Sequence, residues 1–305
     1  MRDTVTVRRV EGTPQRILAA GALTTVALAV LWALLWAMAF ITTKLALHHA
    51  SPALVVGARC ALAGLVVVAL RWRRLRATNR SDLGRLTVVG LLNNTGYLGV
   101  IGFALPHLSA GMAAVLSSGT PLLVLGVGAF SGGGRLRRVH VAGLLLGITG
   151  IVLSAVDRLD VGAVTLGGVL LGVCAVVSLA TGTLLTPRLV RPGIDPLLAT
   201  GWQALTGAVP LLALSAATGS LVPEEALGAL AGQILFLALG ASVLGMTLWL
   251  LLIRRVGPGR ASVAQFMPPL FSIALGAVIL GEPVTALEIL AVVPVALSTV
   301  LATRP

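Results

Sequence analysis

Long stretches without a single charged residue constrain this chain more than any other feature. Seven of them cover residues 17–43, 86–134, 139–156, 161–187, 196–223, 226–253 and 261–281. A helix rises about 1.5 Å per residue, so about 20 apolar residues cross the hydrocarbon core of a bilayer. Hydrophobic residues make up 57% of the chain and charged residues 10%, whereas soluble domains are about 25% charged. The pattern therefore predicts an all-helical, polytopic membrane protein.

These stretches and two further segments divide into ten predicted membrane spans. The longest stretch, 86–134, breaks at the turn signal Pro106-His107-Leu108-Ser109 and so contains two spans. The segment 52–70 is a further span although it contains Arg59, and 283–303 is the last.

The positions of the basic residues indicate how the spans are oriented. The net charge is +12, and 19 of the 22 lysines and arginines fall on one face of the predicted topology. Lys44 and Arg158 fall on the other face, and Arg59 lies within a span. Because basic loops are retained in the cytoplasm, we expect a multi-pass protein of the inner (plasma) membrane with both termini cytoplasmic. The charge is thus a topology signal, and we expect the lipid bilayer as a partner and no nucleic acid.

The two halves of the chain repeat each other. At an offset of 144 residues, Gly57 aligns with Gly201. At an offset of 148 residues, seven pairs align, among them Pro121 with Pro269. Five spans in each half make the second copy enter the membrane from the opposite face, so the repeat is inverted.

This organisation predicts three parts: a basic tail at 1–16, a first repeat at 17–156 and a second repeat at 161–303. Inverted repeats are typical of secondary transporters, in which a site near the bilayer midplane is exposed to each side in turn. We therefore predict a transporter, with a duplication that serves packing alone as the alternative.

Several segments are similar to the EamA-type transporters of the drug/metabolite transporter superfamily. They are 37–44, 57–63, 104–111 and Pro121 in the first half, and 252–262, Pro269-Leu270 and 280–285 in the second. The resemblance implies a cavity lined by spans 1 to 4 and 6 to 9, with spans 5 and 10 outside the bundle. One departure concerns the end of the fourth span, where the family commonly has a Gly-Glu pair and this chain has Gly132-Gly133-Gly134-Arg135.

Polar residues inside the spans are the first candidates for a substrate site. Arg59 lies seven residues into its span, and a charge at this depth is costly unless it faces protein or water. It is a candidate anchor for a substrate carboxylate or a partner in a gate ion pair, with a structural cation as the alternative. In the third span, Asn93 and Tyr97 share one helix face beside Asn94. Hydrogen bonding between helices is the alternative for these amides.

Prolines mark a second pair of candidates. Ser117 precedes Pro121 and Gln265 precedes Pro268 and Pro269, and the two polar residues align at the offset of 148. Proline frees a backbone carbonyl one turn earlier, so these carbonyls and side chains are predicted to form two facing half-sites with the prolines as hinges. Simple helix kinks are the alternative. Trp36 and Trp249 are candidates for an apolar wall or a gate, with packing between helices as the alternative. The predicted substrate-binding residues are Trp36, Arg59, Asn93, Asn94, Tyr97, Ser117, Trp249 and Gln265.

Candidates for proton coupling are fewer, since no acidic residue or histidine lies deep in a span. Glu282 and Glu288, at the outer ends of the last two spans, are the acids we expect to serve if transport is coupled to protons. The sequence contains no nucleophile elbow, no phosphate-binding loop and no cluster with metal-ligand spacing. We therefore expect no enzyme, no cofactor and no metal site.

The combined prediction is a secondary transporter that exports small metabolites by alternating access around a central cavity. Amino acids or related amphipathic compounds are the expected substrates. A lipid flippase and a membrane sensor or scaffold that does not transport are the alternatives. The pairs Gly143/Gly147 and Gly168/Gly172 are expected to pack within the monomer, with a homodimer as the alternative.

Overall fold

The computed structural model describes the chain over most of its length. The described residues are 14–121, 123–124, 145–146, 149–150, 164–219, 222–257, 261, 264–265, 267–287, 289–290, 293–294 and 297. Helices account for all the regular structure in these ranges. The all-helical prediction is confirmed for this part of the chain, whereas the predicted spans 139–156 and 283–303 lie largely outside it.

The described residues form nine main helices. They are α1 (Pro14–Ala46), α2 (Pro52–Leu70), α3 (Trp72–Ala77), α4 (Arg80–His107), α5 (Ala110–Ser118), α6 (Leu166–Leu189), α7 (Pro196–Ala217), α8 (Glu224–Val256) and α9 (Met267–Leu280). Within the described residues, six are long and apolar enough to cross a membrane: α1, α2, α4, α6, α7 and α8. The short α3 lies between two of these at a turn rich in arginine.

Corresponding sequences begin α2 and α7. The Ser51 hydroxyl accepts the N–H of Leu54 at 3.3 Å, and Asp195 Oδ1 accepts the N–H groups of Leu197 and Leu198 at 2.9 and 3.1 Å. In both helices a proline follows the cap at the first helical position, where its missing N–H costs nothing. The two repeats thus start their second helices with the same local chemistry.

Both α4 and α8 contain a π-helical segment of nine residues. The segment of α4 is Leu91–Gly99 and that of α8 is Phe236–Leu244, and they start 145 residues apart. This spacing agrees with the offsets of the sequence repeat. Short π segments are rare and often occur at functional sites, since they turn side chains away from the positions of a regular helix.

The helices α2 and α7 pack closely against each other. A Cβ added at Gly57 would lie 2.9 Å from Leu212, and one added at Gly64 would lie 2.6 Å from the backbone nitrogen of Leu205. Gly201, the partner of Gly57 in the repeat, contacts Val67. These three contacts run in opposite directions along the two helices, so α2 and α7 are antiparallel, as an inverted repeat requires.

The ends of the helices define two faces of the bundle. The Arg71 face is the one where α2 ends and α7 begins, and there Arg71 Nε lies 3.9 Å from Asp195 Oδ2. On the same face, Arg191 Nε lies 3.5 Å from Asp82 Oδ1. The Lys44 face is the opposite one, where α1 ends and α2 and α5 begin.

Large apolar side chains cover the outside of the bundle. On α6, the exposed residues Leu166, Leu170, Val173 and Val177 recur at helical spacing and form one continuous stripe. A surface of this kind is unfavourable in water and is stable against lipid tails. Together with the long apolar helices, it makes the chain a multi-pass membrane protein.

The glycine pair of α6 packs inside the chain. A Cβ at Gly168 would lie 2.6 Å from the carbonyl oxygen of His107, and one at Gly172 would lie 2.6 Å from Leu116 Cδ1. The second predicted pair, Gly143/Gly147, lies outside the described residues.

Candidate functional site

A cavity of about 670 Å³ lies between the two repeats. Its wall contains residues of α1, α2 and α4 to α9. All eight residues predicted to bind substrate line it: Trp36, Arg59, Asn93, Asn94, Tyr97, Ser117, Trp249 and Gln265. Pro121 and Pro268 line it as well, Pro269 is buried in α9, and Glu288 lies outside the described residues.

The cavity is displaced toward the Arg71 face. Its wall includes Val67, three residues before the end of α2, and Leu197, the second residue of α7. Toward the Lys44 face, the wall stops at Trp36, Arg59 and Ser117, each seven to ten residues inside its helix end. At 1.5 Å per residue, about 10–15 Å of packed helix separate the cavity from the Lys44 face.

Arg59 contacts the π segment of α8. The side chain is 8% exposed, and its Nε donates to the Ser242 hydroxyl at 3.0 Å. Ser242 in turn donates to the carbonyl oxygen of Leu237, five residues earlier, at 2.9 Å. Among the described residues no carboxylate pairs with Arg59, so the predicted gate ion pair is absent from this part of the structure.

Gln203 makes the corresponding contact in the other repeat. It aligns with Arg59 at the offset of 144, and its Oε1 accepts from Asn93 Nδ2, in the π segment of α4, at 3.4 Å. Each repeat therefore extends a polar side chain from its second helix to the π segment of the other. Gln203 and Ser242 were not among the residues predicted from the sequence, although the alignment with Arg59 was a signal for the first.

The carbonyls freed by the prolines already have partners. Thr120 donates to the carbonyl of Ser117, which Pro121 leaves free, at 2.7 Å. Ser118 donates to the carbonyl of Gln265, which Pro269 leaves free, at 3.1 Å. The first bond is local and the second joins α5 to the residues before α9, so the two carbonyls are satisfied by different contacts.

Hydroxyl groups continue this network along α5. The Tyr97 hydroxyl donates to Ser117 Oγ at 3.0 Å, and Ser117 donates to the carbonyl oxygen of Ala113 at 2.8 Å. Tyr97 is almost fully buried, at 2% exposure. The phenol and the serine thus form one polar patch on the cavity wall, and their contact with a substrate stays a prediction.

Three tryptophans form the apolar part of the wall. Trp32 and Trp249 are stacked with ring centroids 4.5 Å apart, and Trp32 lies 5.7 Å from Trp36. All three side chains line the cavity. Trp32, one helical turn before Trp36, was not among the tryptophans predicted to form this wall.

Glu282 closes the Lys44 face. Its carboxylate forms an ion pair with Lys44 at the end of α1 and accepts the N–H of Ala110, the first residue of α5, at 3.0 and 3.2 Å. Gly276 lies directly beneath, since a Cβ there would be 2.7 Å from Glu282 Oε2. We call Lys44, Glu282 and Ala110 the latch, because they join α1, α5 and the end of α9.

The described residues contain no group of three or more His, Cys, Asp or Glu side chains that could hold a metal ion. The charged groups that do cluster are those of the latch and of the Arg71 face. In the described part of the chain, the cavity wall consists of aliphatic, aromatic and neutral polar side chains and one basic side chain.

Comparisons with known proteins identify a family and several relatives of this chain. Residues 23–156 and 166–304 each match the EamA-like transporter family. A probable amino-acid metabolite efflux pump of Salmonella typhimurium is 27% identical over 274 residues, which cover 86% of this chain and 89% of the relative. The protein with the same description in Escherichia coli is 26% identical and covers 87% of this chain and 90% of its own.

Two further proteins extend the comparison. The uncharacterized transporter YvbV of Bacillus subtilis is 29% identical over 265 residues, 85% of this chain and 83% of the relative. A protein of known crystal structure superposes with a TM-score of 0.60 at 20% identity, and covers 93% of this chain and 96% of its own. This last likeness shows a shared fold.

Proposed function

The chain belongs to the EamA-like transporter family, and we propose that it exports small amphipathic metabolites, amino acids or related compounds, across the inner membrane. The two relatives described as probable amino-acid metabolite efflux pumps support this substrate class. The relatives do not favour the lipid flippase or the sensor.

One observation carries the proposal: the cavity extends toward one face and is closed at the other. Alternating access requires such an asymmetric state, in which a central site is open to a single side. We assign the Arg71 face to the cytoplasm because most of the basic residues fall on it. The structure then corresponds to an inward-facing state with the latch closed.

The finer topology is part of the same proposal. We propose ten spans in two inverted repeats, at 17–156 and 161–303, with 139–156 and 283–303 as the fifth and tenth and both termini cytoplasmic. The antiparallel α2 and α7 and the paired π segments support it. Gly168 and Gly172 are used within the chain, so Gly143/Gly147 is the remaining glycine pair for the alternative of a homodimer.

In this scheme the eight predicted residues of the cavity wall contact the substrate, and Pro121, Pro268 and Pro269 act as hinges. The latch opens when the outer ends of α1, α5 and α9 separate. Glu282 is the acid we propose for proton coupling, because a proton from outside would remove the charge that holds Lys44. Glu288 is a second candidate on sequence alone.

Counterflow in proteoliposomes tests the function. Vesicles preloaded with a pool of unlabelled amino acids and related metabolites should accumulate the same compounds, labelled, in a saturable manner. An imposed pH gradient should accelerate net flux, and Glu282→Gln should keep counterflow while it loses this acceleration. No saturable flux of any compound, from protein that is folded, would contradict the proposal and favour the flippase or the sensor.

A further inference from the structure

Arg59 is a buried cation with unused hydrogen-bond donors. A guanidinium carries five N–H groups, and of these only the one on Nε has a hydrogen-bond partner among the described residues, Ser242. The side chain is 8% exposed and lines the cavity. The two terminal nitrogens of Arg59 have no partner among the described residues, and they are not among the fully enclosed atoms in that condition. They are therefore accessible from the cavity.

The electrostatic character of the cavity follows from this one residue. The other polar residues of its described wall are neutral: Cys60, Asn93, Asn94, Tyr97, Ser117, Ser118, Thr120, Thr183, Thr200, Gln203, Ser242 and Gln265, with the indole N–H groups of the tryptophans. An unpaired charge away from bulk water is unfavourable, and an anion that binds it removes that cost. A cation in the same space would find no counter-ion in the described wall.

The apolar part of the wall lies at a fixed distance from this charge. Ser242, Met246 and Trp249 line the cavity from one face of α8, at spacings of four and three residues. Seven residues of helix rise about 10 Å, so Trp249, with Trp32 stacked on it, is about two turns from the residue that holds Arg59. One ligand of this length reaches both.

The tryptophans are arranged as a wall and not as a cage. Trp32 and Trp249 are stacked on each other at 4.5 Å, with 29° between their planes. Each ring thereby covers one face of the other, and those faces cannot surround a cationic group as aromatic cages do. The arrangement suits a flat or branched apolar group that packs on the remaining surface.

We propose that the cavity selects small organic carboxylates that carry an apolar or aromatic group. This proposal rests on the proposed function, because it takes the cavity as the substrate site. The carboxylate binds end-on to the two terminal nitrogens of Arg59, which suit a bidentate contact. The apolar group packs on Met246 and the tryptophans. Zwitterionic amino acids and simple acids satisfy this requirement, whereas the corresponding amides and amines lack the anion.

A matched ligand series tests the proposal on the full-length protein. The series combines a short, a branched aliphatic and an aromatic side chain, each as the simple acid, the amino acid, the amino-acid amide and the amine. Binding is measured as the ligand-dependent rise of the unfolding temperature in detergent, and transport as counterflow of the same compounds. We expect the acids and amino acids with apolar side chains to bind about 10- to 100-fold more tightly than the amides and amines.

Variants locate the preference at Arg59. Arg59→Gln should abolish the difference between acid and amide, and Arg59→Lys should retain part of it because the charge remains without the planar fork. Arg71→Gln is the control, an identical substitution just beyond the end of the same helix at a side chain that is 42% exposed. It should leave the preference for acids intact.

Three results would contradict the proposed role of Arg59. Equal binding of acid, amide and amine to the wild type, no binding of any acid, or an acid preference that survives Arg59→Gln would overturn the proposal. If Arg59→Gln fails to fold, the wild-type series and Arg59→Lys decide. If acids bind in a manner that depends on Arg59 but no compound shows counterflow, the proposed transport function is refuted and this site is supported. If counterflow occurs equally with and without a carboxylate on the compound, transport is supported and this site is refuted.

Discussion

Arg59 and Gln203 show how aligned residues can differ in chemistry while they keep one geometry. Each projects from the second helix of its repeat to the π segment of the other repeat. The cation is paired with a hydroxyl and the amide with an amide, so only the first contact leaves a charge in the cavity. The repeat provides two equivalent positions, and the substitution of one side chain makes the site asymmetric.

The latch gives a test at the same scale. Glu282→Ala removes both the ion pair with Lys44 and the acceptor for the N–H of Ala110, whereas Glu282→Gln keeps an acceptor. Because a helix cap contributes about 0.5–2 kcal/mol, we expect Glu282→Ala to lower the unfolding temperature more than Glu282→Gln. Thermal unfolding in detergent measures the difference. Equal effects of the two variants would show that Ala110 gains nothing from the carboxylate.

At the scale of the helices, the sequence predicts the bounds well where start and stop residues are local. The span 52–70 coincides with α2, since Ser51-Pro52 begins it and Arg71 ends it. No start or stop residue marks the two π segments in the sequence, because the π form of these segments depends on contacts with other helices. The same holds for the partner of Glu282, which lies 238 residues away in sequence.

Glycines in the helices provide the second test. Gly64→Ala would place a methyl group 2.6 Å from the backbone of α7, which cannot move aside, so we expect a loss of about 1–3 kcal/mol. Gly84→Ala on α4 is the control, because nothing lies within 4 Å of its added Cβ. Alanine there should be neutral or stabilise by about 0.5–1 kcal/mol. Thermal unfolding of both variants checks the prediction, and a Gly64→Ala protein as stable as the control would contradict the tight α2–α7 contact.

For the whole molecule, composition and repeat predict a polytopic membrane transporter, and the resemblance of several segments indicates its family, which the family match confirms. The eight candidate side chains line one cavity because polar groups in an apolar bundle are most stable away from lipid. The sequence does not predict the face toward which the cavity extends, since a protein with two inverted repeats can be open to either side of the membrane. The acid of the latch occurs only at the end of α9, and Gly134 stands at the aligned position of the first repeat. We therefore expect the outer face to be the more firmly closed one.

The most direct test of alternating access is the sidedness of cysteine labelling in oriented vesicles. Thr200→Cys and Ala113→Cys are placed singly in a chain whose Cys60 and Cys174 are replaced by serine. Thr200 lines the cavity on α7, and Ala113 is buried one turn from Ser117 toward the Lys44 face. An impermeant thiol reagent should modify Thr200→Cys from the cytoplasmic side, and it should modify Ala113→Cys from outside at a rate that increases when Glu282→Gln weakens the latch. A Thr200→Cys that reacts from outside but not from the cytoplasm, or an Ala113→Cys that never reacts from outside while substrate is carried, would contradict a single cavity exposed to each side in turn.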